Sequence, residues 1–121
     1  MSSFDTALAS TARVIRDEAA ALACAGGDTE LAAELLDTLL VGLEAELASL
    51  RACLARDDWQ GLIDYAHQMR GATRYCGVPA LDLALEQLER AARSGDPQRN
   101  ARCLQEVELQ AGLLRDAFAP L

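Results

Sequence analysis

His67 is the only histidine in a chain of 121 residues, and the residues around it limit what an imidazole there can do. A di-iron bundle needs two Glu-x-x-His sequences projecting inward, which a single histidine cannot supply. The four cysteines, Cys24, Cys53, Cys76 and Cys103, are widely spaced and form no Cys-x-x-Cys pair. A zinc ion therefore finds no ligand set, and the thiols read as reduced and packed. Gly-x-Ser-x-Gly is missing, as is any glycine loop able to cradle a nucleotide phosphate. The carboxylate pairs Glu44 with Glu46 and Glu86 with Glu89 fall on polar faces of predicted helices and read as solvated surface rather than as acid and base. Arg70 and Arg74 follow the histidine on the same predicted helix. They make a small positive site in an acidic chain, suited to a dianionic phosphoryl group on a ring nitrogen.

For that chemistry the ring must reach water, and helical geometry says that it does. At about 100° per residue, the stripe Trp59, Leu62, Ala66, Met69, Thr73 and Cys76 sets the buried direction, and His67 projects about 120° from its centre. An exposed histidine is either idle or a nucleophile, and its neighbours bear on the choice. Side chains on a helix lean toward its N-terminus, so the residue four positions on covers the ring; here it is Gly71, which has no side chain. Glycine inside a helix costs about 1 kcal/mol relative to alanine. Gln68 and Arg74 are candidate polar contacts for a partner, and Ile63, one turn before the histidine, is a candidate apolar one. Asp64 lies near the ring edge, where it either orients the imidazole or is simply solvated.

The elements that position these residues follow from composition and punctuation. Alanine and leucine dominate and β-branched apolar residues are few, which makes the chain all-α. Asp5 can cap a first helix over residues 6 to 24, stopped by Gly26-Gly27. Asp28 can cap a second that runs to Arg56, with leucines at 31, 35, 39, 43, 47, 50 and 54 in helical spacing. A third starts at Trp59 and ends at Gly77, a structural turn in a left-handed cap. Val78-Pro79 opens the fourth, Ser94-Gly95 closes it, and Asp96-Pro97 opens the fifth. Short joins make consecutive helices antiparallel. The expected architecture is a single domain over residues 1–121, an antiparallel up-down four-helix bundle with an additional N-terminal helix. Val41, Leu83, Leu109 and Leu113 lie off the main stripes and are expected either to dock that first helix, the favoured reading, or to form a partner patch. The formal charge of −8 disfavours nucleic acid, and no apolar run is long enough for direct membrane insertion, so the expected location is cytoplasmic.

The run AHQMRGATRYCGVPAL, residues 66 to 81, resembles the signature of histidine-containing phosphotransfer (HPt) domains. Its core is a histidine, a basic residue three on, a glycine four on and a second glycine ten on; His67, Arg70, Gly71 and Gly77 fill those places. AGGDTELAAELL before the long helix and LERAARSGD closing the fourth extend the likeness, which is strongest to the C-terminal HPt domain of bacterial hybrid sensor kinases. Two departures are Arg70 where lysine is usual and Met69 where leucine is usual. The resemblance implies a four-helix bundle without catalytic activity of its own, in a multistep phosphorelay of two-component signalling. His67 would accept a phosphoryl group from a receiver-domain aspartate and pass it to a response-regulator aspartate, with Arg70 offsetting charge and Gly71 admitting the partner loop. The partner is then the receiver domain of a hybrid sensor kinase or a response regulator. No cofactor is expected on this chain, because magnesium would belong to the receiver. The protein would be cytoplasmic, either free or as the C-terminal domain of an inner-membrane sensor kinase. The competing expectation is a helical adaptor that binds a receiver without phosphotransfer.

Overall fold

The computed structural model describes residues 14–118, which form five helices. α1 spans Glu18–Cys24, α2 Thr29–Ala55, α3 Trp59–Cys76, α4 Pro79–Ser94 and α5 Pro97–Phe118. Each start has a local cause. Asp28 Oδ1 accepts from the Leu31 amide at 3.1 Å, and Asp58 Oδ1 from the Gly61 amide at 2.9 Å. Asp96 Oδ1 accepts from the amides of Gln98 and Arg99 at 3.1 and 3.3 Å. In each case a carboxylate satisfies first-turn N–H groups that have no partner within the helix. α3 ends where Gly77 adopts a left-handed backbone, φ 61°, as its place in the sequence requires.

α2 to α5 enclose one core. Leu43, Leu47 and Leu50 of α2, Leu62 and Met69 of α3, Leu81, Leu85 and Leu88 of α4, and Val107 and Leu114 of α5 are its largest fully buried side chains. The order is antiparallel throughout. Between α2 and α5, Glu44 accepts from Arg115 at 2.8 Å and Arg51 donates to Glu108 at 2.6 Å, so the partners run in opposite senses. The bundle and the additional N-terminal helix are those expected from the sequence.

The N-terminal helix is shorter than expected. It begins at Glu18, capped by Asp17, whose Oδ1 accepts from the Ala20 amide at 3.0 Å; Asp5 lies outside the described residues. Residues 14 to 17 are not helical because their backbone bonds elsewhere. The Val14 carbonyl accepts from the Ala80 amide at 3.0 Å, and the Asp17 amide donates to the Gly77 carbonyl at 2.7 Å. Val78, the N-cap of α4, offers no capping side chain, so Val14 satisfies a first-turn N–H that would otherwise be orphaned. α1 docks through Ala21, buried against Gly77. It does not cover the residues assigned to it: Val41 is 86% exposed, and Leu109 and Leu113 are also exposed. Cys53 and Cys76 are buried as expected and Cys103 partly so, whereas Cys24 is exposed, its thiol donating to the Arg74 carbonyl at 3.4 Å.

One supposed surface carboxylate is only partly solvated. Glu46 Oε2 is sealed without a hydrogen-bond partner, and burial pushes the carboxyl above its ordinary value. An acid whose pKa is raised by folding loses stability as pH rises from the ordinary carboxylate value through the raised one, and the loss persists above it. Glu46→Gln is therefore expected to stabilise the bundle at pH 7 and to leave it unchanged near pH ~3.5, where the carboxyl is already protonated; urea unfolding at the two pH values tests this. At Gly77 a Cβ would sit 2.5 Å from the Asp17 carbonyl oxygen and 2.8 Å from the Ala21 nitrogen. Gly77→Ala is expected to cost about 2 kcal/mol, from left-handed strain together with displacement of the N-terminal segment. It should appear as a lower urea midpoint.

Candidate functional site

α3 buries Leu62, Ala66, Met69, Thr73 and Cys76, with Trp59 packed against the core at its start, so the predicted stripe is the observed one. His67 stands off that stripe with its side chain 70% exposed. A Cβ built on Gly71 would meet nothing within 4 Å. The space one turn after the ring is open, as the sequence suggested.

What holds the ring was not foreseen. His67 Nδ1 lies 3.2 Å from Oε1 of Glu89 on the neighbouring α4. Glu89, read from the sequence as solvated, is 8% exposed. Its position on the helix explains this: it follows Leu85 by four residues and Leu81 by eight, which puts it at the edge of the buried stripe of α4. An ionised carboxylate only accepts hydrogen bonds, so Nδ1 carries the proton that faces it. In the neutral ring, Nε2 is left with its lone pair. Of the two readings left open for Asp64, the structure favours the solvated one: it is exposed and accepts from Gln60 at 2.9 Å on its own helix.

Arg70 also differs from expectation. Its side chain is 13% exposed and lies between two carboxylates on α4: Nε donates to Asp82 Oδ1 at 3.3 Å, and Nη1 is 3.8 Å from Glu89 Oε2. The buried Thr73 hydroxyl donates to the same Asp82 oxygen at 2.8 Å. Arg93, one turn after Glu89, places Nη2 3.6 Å from Glu89 Oε2. One carboxylate thus joins the imidazole to two guanidinium groups. The cluster formed by α3 and α4 is an exposed nitrogen nucleophile of fixed orientation, set among balanced charges and beside open space.

The remaining predicted residues are scattered around this centre. Ile63 is partly buried against the core, and Gln68 is exposed over the groove between α2 and α3, near Tyr65 and Glu46. Arg74 is exposed on the last turn of α3 and lines a cavity with Asp17, Gly77 and Asp82 at that end of the bundle. It is not gathered to His67. Sequence reasoning missed Glu89, Asp82 and Arg93, all on α4. Among the described residues no group of histidine, cysteine and carboxylate side chains is placed to hold a metal ion.

A family model described as Hpt domain matches residues 34–117. The sensor histidine kinase GacS of Pseudomonas protegens is 36% identical over 100 residues, which are 83% of this chain and 11% of that protein. The signal transduction histidine-protein kinase BarA of Escherichia coli K12 is 31% identical over 80 residues, 66% of this chain and 9% of that one. The chain thus spans about a tenth of the length of these curated relatives. The crystal structure of histidine-containing phosphotransfer protein B (HptB) from Pseudomonas aeruginosa PAO1 superposes with a TM-score of 0.77 at 27% identity, covering 88% of this chain and 92% of that one.

The burial of Arg70 and the openness at Gly71 make opposite predictions for two neighbouring substitutions. Arg70→Ala leaves Asp82 and Glu89 short of a cation and is expected to cost about 2 kcal/mol of stability. Gly71→Leu replaces a poor helix former with a good one in empty space and is expected to gain about 0.5 kcal/mol. Denaturant midpoints of the two variants decide both.

Proposed function

The chain belongs to the Hpt domain family, and from that premise we propose that His67 is the residue on which it carries the phosphoryl group. Its role is histidine phosphotransfer in a phosphorelay. Hpt domains work with receiver domains and response regulators. The observation that carries the assignment is the ring of His67, 70% exposed, with Nδ1 3.2 Å from Glu89 Oε1.

Transfer then proceeds as an in-line displacement. The Nε2 lone pair attacks phosphorus, the bond to the receiver's aspartyl oxygen breaks, and the electron pair leaves with the carboxylate. The proton on Nδ1 stays where it is, facing Glu89. Glu89 thus fixes the tautomer before the reaction and offsets the positive charge that the ring acquires during it. Open space at Gly71 leaves room for the partner to bring its aspartate into line with Nε2. We assign activation of the acyl phosphate, and the magnesium ion that accompanies it, to the receiver. On this reading the chain is a carrier whose contribution is an oriented nucleophile, not a catalyst that turns over alone. No helix among the described residues is long and apolar enough to cross a membrane.

The deciding experiment offers a panel of phosphorylated receiver domains to the wild type and to His67→Gln, and scores acid-labile label. Label on the wild type alone is expected; equal label on both would overturn the assignment of His67. Glu89→Gln should still accept label but about tenfold more slowly. A charge-assisted hydrogen bond is worth about 1.5 kcal/mol, and 1.4 kcal/mol is tenfold in rate.

A further inference from the structure

A phosphoryl group brings up to about two negative charges to the ring, and the cluster holds no surplus of positive charge to meet them. Arg70 and Arg93 are balanced by Asp82 and Glu89. The two guanidinium groups are not equally free to respond. Arg70 is 13% exposed and tied to carboxylates at both ends, so drawing it outward would leave Asp82 and Glu89 unpaired in partly buried surroundings. Arg93 has a side chain 64% exposed and one ion pair, to Glu89 at 3.6 Å, of the exposed kind that contributes little. Other nearby cations are placed or engaged elsewhere: Arg90 donates to Glu86 at 2.8 Å, and Arg74 lines the cavity at the far end of α3.

Resting on the reading of His67 as acceptor, we propose that Arg93, rather than Arg70, is the side chain that closes over the phosphoryl group and neutralises it. Glu89 makes the exchange possible. In the free state Oε1 faces the imidazole, at 3.2 Å, and Oε2 is shared by the guanidinium groups of Arg70 and Arg93, at 3.8 and 3.6 Å. When Nε2 bonds to phosphorus and the receiver's carboxylate departs with the electron pair, the Nδ1 proton remains and the ring becomes cationic. The cationic ring on Oε1 and Arg70 beside Oε2 then satisfy Glu89 between them. Arg93 is released at the moment when a phosphoryl dianion appears on the ring that shares Glu89 with it, and its fork suits the phosphate oxygens. Arg70 stays where it is and holds α3 to α4.

The test measures label acceptance by the wild type, Arg93→Gln, Arg93→Lys and Arg70→Gln, from a receiver and from phosphoramidate, a donor with no protein surface to dock. Thermal unfolding is followed in parallel. For Arg93→Gln the melting temperature is expected to stay within about 3 °C of the wild type. Its acceptance rate should fall about tenfold with both donors, a loss of about 1.4 kcal/mol of transition-state stabilisation, and Arg93→Lys should recover most of it. Arg70→Gln should lower the melting temperature. Unchanged rates in Arg93→Gln overturn the proposal, and so does a loss seen only with the receiver, which would make Arg93 a docking contact. If His67→Gln still takes label, the acceptor assignment fails and this proposal with it. A wild type that labels while His67→Gln does not leaves any failure with Arg93 alone.

Discussion

A carboxylate placed at the edge of an apolar stripe must find cations or give up its charge, and Glu89 finds three groups that can answer it. Burial of an unpaired carboxylate costs several kcal/mol, so the 8% exposure of this residue is tolerable only with partners at both oxygens. The imidazole of His67 takes one oxygen, and Arg70 and Arg93 approach the other. Satisfying Glu89 therefore settles the tautomer of the histidine, the conformation of Arg70 and the resting place of Arg93 together. A ring exposed to water on most of its surface would otherwise sample several rotamers. Here a group on a different helix restricts it.

That restriction is only as good as the registration of α3 against α4, and the rest of the fold serves to fix it. Leu62, Ala66 and Met69 on one helix and Leu81, Leu85 and Leu88 on the other are buried in the common core, which sets the rotation of each about its axis. Thr73 and Arg70 add a polar fastening through Asp82. At the turn between them, Gly77 lets the chain reverse in two residues. Val14 and Asp17 bond to the backbone on either side of that turn. The N-terminal segment is thus a clamp on the α3–α4 hairpin rather than an ornament at the end of the bundle.

How much of this was legible in the sequence depended on whether the information was local. Helix starts at Asp28, Asp58 and Pro79, and the left-handed end at Gly77, are decided within four residues, and the sequence predicts them. The exposure of His67 follows from one helix alone, because the buried stripe of α3 defines its opposite face. Glu89 was a different matter. Its spacing from Leu85 and Leu81 placed it on the buried edge, but its charge argued for water, and the partners that reverse that argument sit on another helix. Arg70 and Glu46 failed for the same reason, since neither the depth of a boundary position nor its ion pairs can be read before the neighbouring helix is in place. Residues 14 to 17 look helical in isolation, yet their carbonyl and amide groups are taken by Ala80 and Gly77 across the fold.

The arginine at position 70, where the resemblance leads one to expect lysine, follows from the same cluster. Asp82 and Glu89 are seven residues apart on α4, a separation of about 10.5 Å along the helix axis. A side chain from α3 that serves both must present donors at separated points. Arg70 does so, with Nε toward Asp82 at 3.3 Å and Nη1 toward Glu89 at 3.8 Å. An ammonium group is a compact point charge on a flexible stem and would have to choose one carboxylate. Choosing Glu89 would leave Asp82 without a cation, with the Thr73 hydroxyl still donating to it; choosing Asp82 would leave the carboxylate beside the histidine dependent on the exposed Arg93. The guanidinium fork removes the choice. Position 70 becomes a structural brace between the two helices, and the exposed guanidinium of the cluster is that of Arg93 on α4.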